Sequence, residues 1–147
     1  MFKKVVWATD GSKAADKALE VAADLARESG GELIALHCVE LTMPGKAGGR
    51  LPVYANEDEV VTKIEGQLSG LKPDGLQTKV RVARAGIGEA AQIVADATVE
   101  EGGEVIVIGT RGRGPLTGLL LGSVTQRLLH LAPCPVLVVP TRAEETD

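Results

Sequence analysis

Residues 104–123 read EVIVIGTRGRGPLTGLLLGS. The opening run, Glu104 to Ile108, is apolar on both faces, and a strand with no polar face must be covered on both sides, as in the centre of a parallel sheet. It opens directly onto glycines at 109, 112, 114, 118 and 122. Leu120 to Leu131 then places Leu121, Val124, Leu128 and Leu131 at helical spacing, which predicts a helix with those residues inward and Thr125, Gln126 and Arg127 outward. The stretch therefore reads as strand, glycine-rich turn and helix, one unit of a layered α/β domain.

The same unit recurs on either side of it. Lys4 to Thr9 (KVVWAT) is a short β-branched run that meets Asp10-Gly11-Ser12, after which Ala15, Ala18, Leu19, Ala22, Leu25 and Ala26 repeat at helical spacing. Asp10 or Ser12 can cap that helix, and Gly30-Gly31 can stop it. Glu32 to Val39 (ELIALHCV) is a second apolar strand, and Glu40 to Ala55, broken by Pro44, Gly45, Gly48, Gly49 and Pro52, reads as a long loop. Val60, Val61, Ile64 and Leu68 mark a second helix, and Thr78 to Ala83 (TKVRVA) a strand with one more polar face, suited to a sheet margin. Ala90, Ile93, Val94 and Ala97 mark a third helix over Glu89 to Val99, ending at Gly102-Gly103. Pro135 to Val139 (PVLVV) is the fifth strand. Five strands alternating with four helices predict one doubly wound five-stranded parallel sheet with right-handed crossovers and helices on both faces, a single domain over 1–147.

Composition narrows the function classes. Of 147 residues, 44% are hydrophobic and 24% charged, enough to bury a core and too apolar for disorder. Aromatics make up 2% and the net charge is −4, which argues against a base-stacking or basic nucleic-acid surface. No apolar run is long enough to span a membrane or to serve as a signal-peptide core, and Cys38 and Cys134 stand alone, as reduced cytoplasmic thiols would.

In doubly wound sheets ligands bind beyond the carboxyl ends of the strands where the strand order reverses. That rule selects Asp10, the end of the second strand near Cys38, and the glycines after Ile108. Their spacing, Gly109-x2-Gly112-x9-Gly122-Ser123, lets backbone amides approach phosphate oxygens, with a helix N-terminus behind them, the Ser123 hydroxyl beside them, and Arg111 and Arg113 within the loop. It is not the Gly-x4-Gly-Lys-Ser/Thr phosphate loop. Gly86-Ile-Gly88-Glu-Ala-Ala91 imitates a dinucleotide fingerprint, but the acid that should follow, Glu104, falls at a strand's start, so helix capping is its expected role.

From Lys4-Val-Val-Trp-Ala-Thr-Asp10-Gly-Ser, through Leu36-His-Cys-Val-Glu40 and Val107-Ile-Gly-Thr-Arg-Gly-Arg-Gly114, to Leu120-Leu-Gly-Ser-Val-Thr125 and Ala132-Pro-Cys-Pro-Val-Leu-Val-Val-Pro140, the chain resembles the universal stress protein family over essentially its whole length. It keeps the glycine spacing of that family's ATP-binding branch. The resemblance implies ATP with Mg2+ as ligand: Ala8, Thr9 and Asp10 against adenine and ribose, the Cys38 backbone at the adenine edge, and Ile108, Gly109, Arg111, Gly112, Gly122, Ser123 and Val124 around ribose and phosphates. A ligand that touches both Asp10 and Gly109 requires the first and fourth strands to be neighbours, which favours the spatial order 3-2-1-4-5. The fifth strand is then an apolar edge, and a homodimer through Pro135 to Val139 is expected, as in related family members.

The remaining polar residues carry quieter expectations. His37 and His130 lack a nucleophile or acid at partner spacing and are read as structural. Cys38 is read as a packed thiol, and Glu40 as a strand-end surface acid. No base or water-orienting group accompanies the glycines, so the expected function is that of a small cytoplasmic nucleotide-responsive regulatory dimer with at most slow ATP hydrolysis and unidentified protein clients. A nucleotide-independent dimeric interaction module of the same family is the alternative.

Overall fold

The computed structural model describes residues 1–42, 53–54, 57–110 and 121–140. Its elements in order are β1 (Lys4–Ala8), α1 (Lys13–Ser29), β2 (Glu32–Thr42), β3 (Val53–Tyr54), α2 (Glu57–Ser69), a 3-10 turn at Lys72–Asp74, β4 (Gln77–Ala85), α3 (Ala90–Glu101), β5 (Val105–Gly109), α4 (Ser123–Leu131) and β6 (Val136–Val139). β4, β2, β1, β5 and β6 lie side by side, all parallel, so the five long strands follow the order 3-2-1-4-5. The sixth strand is a two-residue piece: Val53–Tyr54 pairs antiparallel with Leu41 and Thr42.

Alternation along each strand sorts the core into two layers. Val5, Trp7, Leu33, Ala35, Val105 and Val107 face α1 and α2; Val6, Ala8, Ile34, Leu36, Ile106 and Ile108 face α3 and α4. The face that α1 buries is built of Ala14, Ala15, Ala18, Ala22, Ala23 and Ala26. Side chains this small bring the helix axis close to β1 and β5, and Trp7, wholly buried, fills the space beside it while its Nε1 donates to the Ala15 carbonyl at 2.8 Å.

The two sheet edges differ in chemistry. β4 carries Lys79, Arg81 and Arg84 along the first edge, paired with Glu101 (2.6 and 2.8 Å), Glu100 (3.0 Å) and Glu57 (2.6 Å) from α3 and α2. Hydrogen bonds from Lys79, and then from Arg81, hold the Glu101 carboxyl below its usual range. β6, at the other edge, is Val-Leu-Val-Val with Leu137 40% exposed.

Three details depart from the periodicity reading. β2 runs on to Thr42, so Glu40 to Thr42 belong to a strand, as do Val53–Tyr54, and 43–52 and 55 of the expected loop lie outside the described residues. α4 begins at Ser123 and not at Leu120. On α4 Thr125 is buried and Leu131 exposed, the reverse of the expectation. Thr125 and Leu128 fall at i and i+3, so helix geometry turns the threonine to the face that carries the buried leucine, and a hydrogen bond from its Oγ1 to the Gly109 carbonyl (3.1 Å) satisfies the hydroxyl there.

Candidate functional site

The strand order reverses between β1 and β5, and the segments that leave their carboxyl ends meet there. β1 ends at Ala8. Thr9 then keeps one more rung to β2, its amide donating to the Leu36 carbonyl at 3.0 Å. Beyond it the chain turns: Asp10 Oδ1 accepts from the Ser12 amide (2.9 Å), Thr9 Oγ1 accepts from the Gly11 amide (3.1 Å), and Gly11 adopts φ 84°, a left-handed value open to glycine at little cost. Of the two expected caps of α1, Ser12 takes the role, its Oγ accepting from the Ala15 amide at 3.3 Å. Asp10 is thereby half-buried at the strand end, with one carboxylate oxygen committed to the turn. Lys63 of α2 reaches the same turn, its Nζ donating to the Gly11 carbonyl (2.7 Å) and pairing with Asp16 (3.0 Å).

On the β5 side, Gly109 is buried because α1 leaves no room for a side chain: a Cβ there would lie 2.8 Å from the Ala14 carbonyl oxygen. The Gly122 amide donates to the Thr110 carbonyl at 2.8 Å, and the Thr125 bond to Gly109 adds a second tie. Together they bring the amino end of α4 to the carboxyl end of β5. Gly122 is the N-cap and supplies no side-chain cap, so the first-turn amides at Ser123, Val124 and Thr125 present the positive end of the helix. Ser123 is exposed and Val124 half-buried at this mouth.

Ala8, Thr9, Asp10, Ile108, Gly109, Gly122, Ser123 and Val124 thus gather at one end of the two central strands. Arg111 and Gly112 lie outside the described residues. Cys38 stands two residues beyond Leu36, the last β2 residue in register with β1. Its backbone N–H and C=O point to the β1 side, as those of Leu36 do, but past the end of that strand. Its side chain packs into the α3/α4 layer. Burial, followed by the nearby Glu40 charge, pushes the thiol up from 9.0 to about 11. Alkylation of Cys38 by iodoacetamide, followed by peptide mass spectrometry, is therefore expected to stay slow at neutral pH and to accelerate until the pH nears about 11; a plateau below pH 9 would contradict the packed-thiol reading.

Three residues have roles that the sequence reading passed over. His37, 6% exposed, directs Nδ1 at the Thr9 carbonyl (2.9 Å), and because a carbonyl only accepts, Nδ1 carries the proton. Thr110 supplies the carbonyl that seats Gly122. Glu40 is no plain surface acid: its Oε2 accepts from the Ala90 amide at 3.3 Å, at the start of α3, where the N-cap Glu89 makes no side-chain cap of its own. The lesser glycine pair, Gly86 and Gly88, follows β4 at the sheet margin, and Glu104 is at the opposite end of the sheet, accepting from the Lys3 and Lys4 amides (2.8 and 2.9 Å). That geometry leaves no dinucleotide fingerprint there.

The universal stress protein family model matches residues 1–140. The chain is 35% identical to universal stress protein Sll1654 of Synechocystis sp. over 144 residues, 95% of this chain and 87% of that protein. It is 32% identical to universal stress protein YxiE of Bacillus subtilis, over 95% of this chain and 99% of that protein. Among solved structures it is similar to a universal stress protein in complex with cAMP (TM-score 0.69, 21% identity, 96% of this chain and 99% of that one). It is also similar to a universal stress protein family protein from Arabidopsis thaliana with AMP bound (TM-score 0.64, 15% identity, 99% and 95%). These two likenesses are of fold. With a family model spanning 1–140 and relatives above 30% identity along most of their length, the chain belongs to the universal stress protein family.

Proposed function

We propose that the chain is an ATP-binding regulatory protein of the cytoplasm, a single-domain homodimer whose partner surface responds to the bound nucleotide. The observation that carries this reading is the uncapped amino end of α4, held at the carboxyl end of β5 beside the Asp10 turn, where the strand order reverses. A helix N-terminus free of its own cap favours a phosphate, the apolar Ala8, Ile108 and Val124 suit a base or ribose face, and Asp10 suits a ribose hydroxyl or a phosphate-bound Mg2+. The adenine nucleotides named with two structures of the same fold support the choice of ligand. Arg111 and Gly112 are assigned to the phosphates by the family spacing. Binding with at most slow hydrolysis is part of the proposal.

Equilibrium binding of ATP, ADP and AMP with magnesium, alongside Gly122→Val, tests the proposal. Gly122 has φ −64° and ψ 157°, values any residue adopts, so valine strains no backbone and acts by filling space at the helix mouth. ATP affinity is expected to fall by at least about tenfold, read at a temperature where the variant's circular dichroism matches the wild type, since Gly122 is buried and the added side chain can also lower stability. Unchanged affinity would move the ligand elsewhere. The nucleotide-independent module has its own support: Gly109 is already explained by Ala14, and the Gly122 amide is already spent on Thr110. Absence of ATP binding together with absence of nucleotide in the freshly purified protein would favour it.

A further inference from the structure

Parallel strands continue pairing in a fixed alternation: after the Thr9 amide donates to Leu36, the next rung runs from the Cys38 amide to the Thr9 carbonyl. That rung is missing. The Thr9 carbonyl is taken from the side by His37 Nδ1 at 2.9 Å, while the Thr9 amide keeps its bond to Leu36. The imidazole bond stands where the β1–β2 ladder ends, one rung early, and the chain leaves the sheet at Thr9 to form the Asp10 turn. The Cys38 N–H and C=O remain directed past the end of β1, and among the described residues no backbone group takes them. β4 pairs with the opposite side of β2, so it does not claim them.

We infer that His37 is a positioning residue for base recognition: by occupying the Thr9 carbonyl it keeps the Cys38 backbone pair open as a donor and acceptor for the edge of a purine base. One amide and one carbonyl on the same strand edge form a hydrogen-bonding pair that discriminates between bases, because adenine offers an acceptor ring nitrogen beside a donor amino group while guanine presents a carbonyl at the amino position. The inference rests on the nucleotide reading above for its ligand, but its structural part does not need the ligand. The buried ring makes its bond through Nδ1, so asparagine, whose amide nitrogen falls near the Nδ1 position, can replace it, and leucine cannot.

The test is amide hydrogen exchange by NMR on the nucleotide-free protein, with ATP and GTP affinities measured on the same samples. In the wild type the Cys38 amide is expected to exchange quickly for a central strand, while the Leu36 and Val6 amides stay protected. In His37→Leu the ladder closes onto Thr9, Cys38 protection rises at least about tenfold, and the ATP-over-GTP preference falls by about the same factor, as for one lost hydrogen bond to the base. His37→Asn restores both. A Cys38 amide already protected in the wild type, or unchanged in His37→Leu with the core amides still protected, overturns the inference. If His37→Leu does not fold, the wild-type Cys38 exchange rate and the base preference of His37→Asn still decide it. The expected exchange pattern in a protein that binds neither ATP nor GTP would uphold His37 as the ladder stop and overturn its role in base recognition together with the nucleotide reading.

Discussion

Gly109→Val is expected to lower the free energy of unfolding by about 3 kcal/mol, read as a shift of the urea midpoint at constant slope. The added Cβ would sit 2.8 Å from the carbonyl oxygen and 2.9 Å from the carbonyl carbon of Ala14, atoms of the first turn of α1 that no rotamer change can move away. Relief requires α1 to retreat from the sheet. Its alanine face is in contact along its length, and its start is fixed by the Ser12 cap and by the Trp7 indole on the Ala15 carbonyl. The single tryptophan therefore reports the damage: its emission should shift to the red as water gains access. Because the Ser12 cap and the Asp10 turn lie on the same stretch of chain, ATP affinity should fall as well, even at temperatures where the variant remains folded. A Gly109→Val protein as stable as the wild type would mean that the α1 terminus has slack that this packing does not show.

Leu137→Asp is expected to convert the proposed homodimer to a monomer, with the mass in sedimentation velocity halving and the far-ultraviolet circular dichroism retained. The side chain is 40% exposed on β6, so the substitution costs the isolated fold little. In a two-fold pairing of β6 with its copy, however, two carboxylates face one another across an apolar seam, where like charges oppose strand pairing. Leu137 shares its sheet face with Val107 and Val139, on the α1 side of β6. A variant that stays dimeric would place the interface on another face of the molecule.

The sequence made the sheet order legible because the placement of two residues constrains it. Once Asp10 and Gly109 are assigned to one ligand, the strands that end in them must be adjacent, and β1 does pair with β5. One margin was legible from polarity: Thr-Lys-Val-Arg-Val-Ala alternates and lies at an edge, whereas Val-Ile-Val-Ile does not and lies inside the sheet. Cross-chain hydrogen bonds left no such trace. Glu40 reaching the Ala90 amide joins residues fifty positions apart, and His37 reaching Thr9 joins residues twenty-eight apart, so neither produces a local pattern. Thr125 was misread for another reason. Polarity placed it outside, but a hydroxyl that can reach a strand-end carbonyl can be buried at little cost, and only the i, i+3 spacing to Leu128 betrays it. The reach of β2 to Thr42 was hidden because strand and loop composition overlap at Leu41-Thr42, and pairing with Val53–Tyr54 decides between them.

The unequal edges of the sheet bear on how copies of the protein can accumulate. A sheet whose two margins were both receptive would add subunits at either end and grow as a fibre, head to tail, without a natural limit. Here the β4 margin carries Lys79, Arg81 and Arg84 with their glutamate partners, charges that oppose strand addition, whereas the proposed interface uses the apolar β6 margin. A subunit with one receptive margin has a valence of one. In the proposed homodimer each association consumes the margin that made it possible, so growth by strand pairing ends at two copies at any concentration.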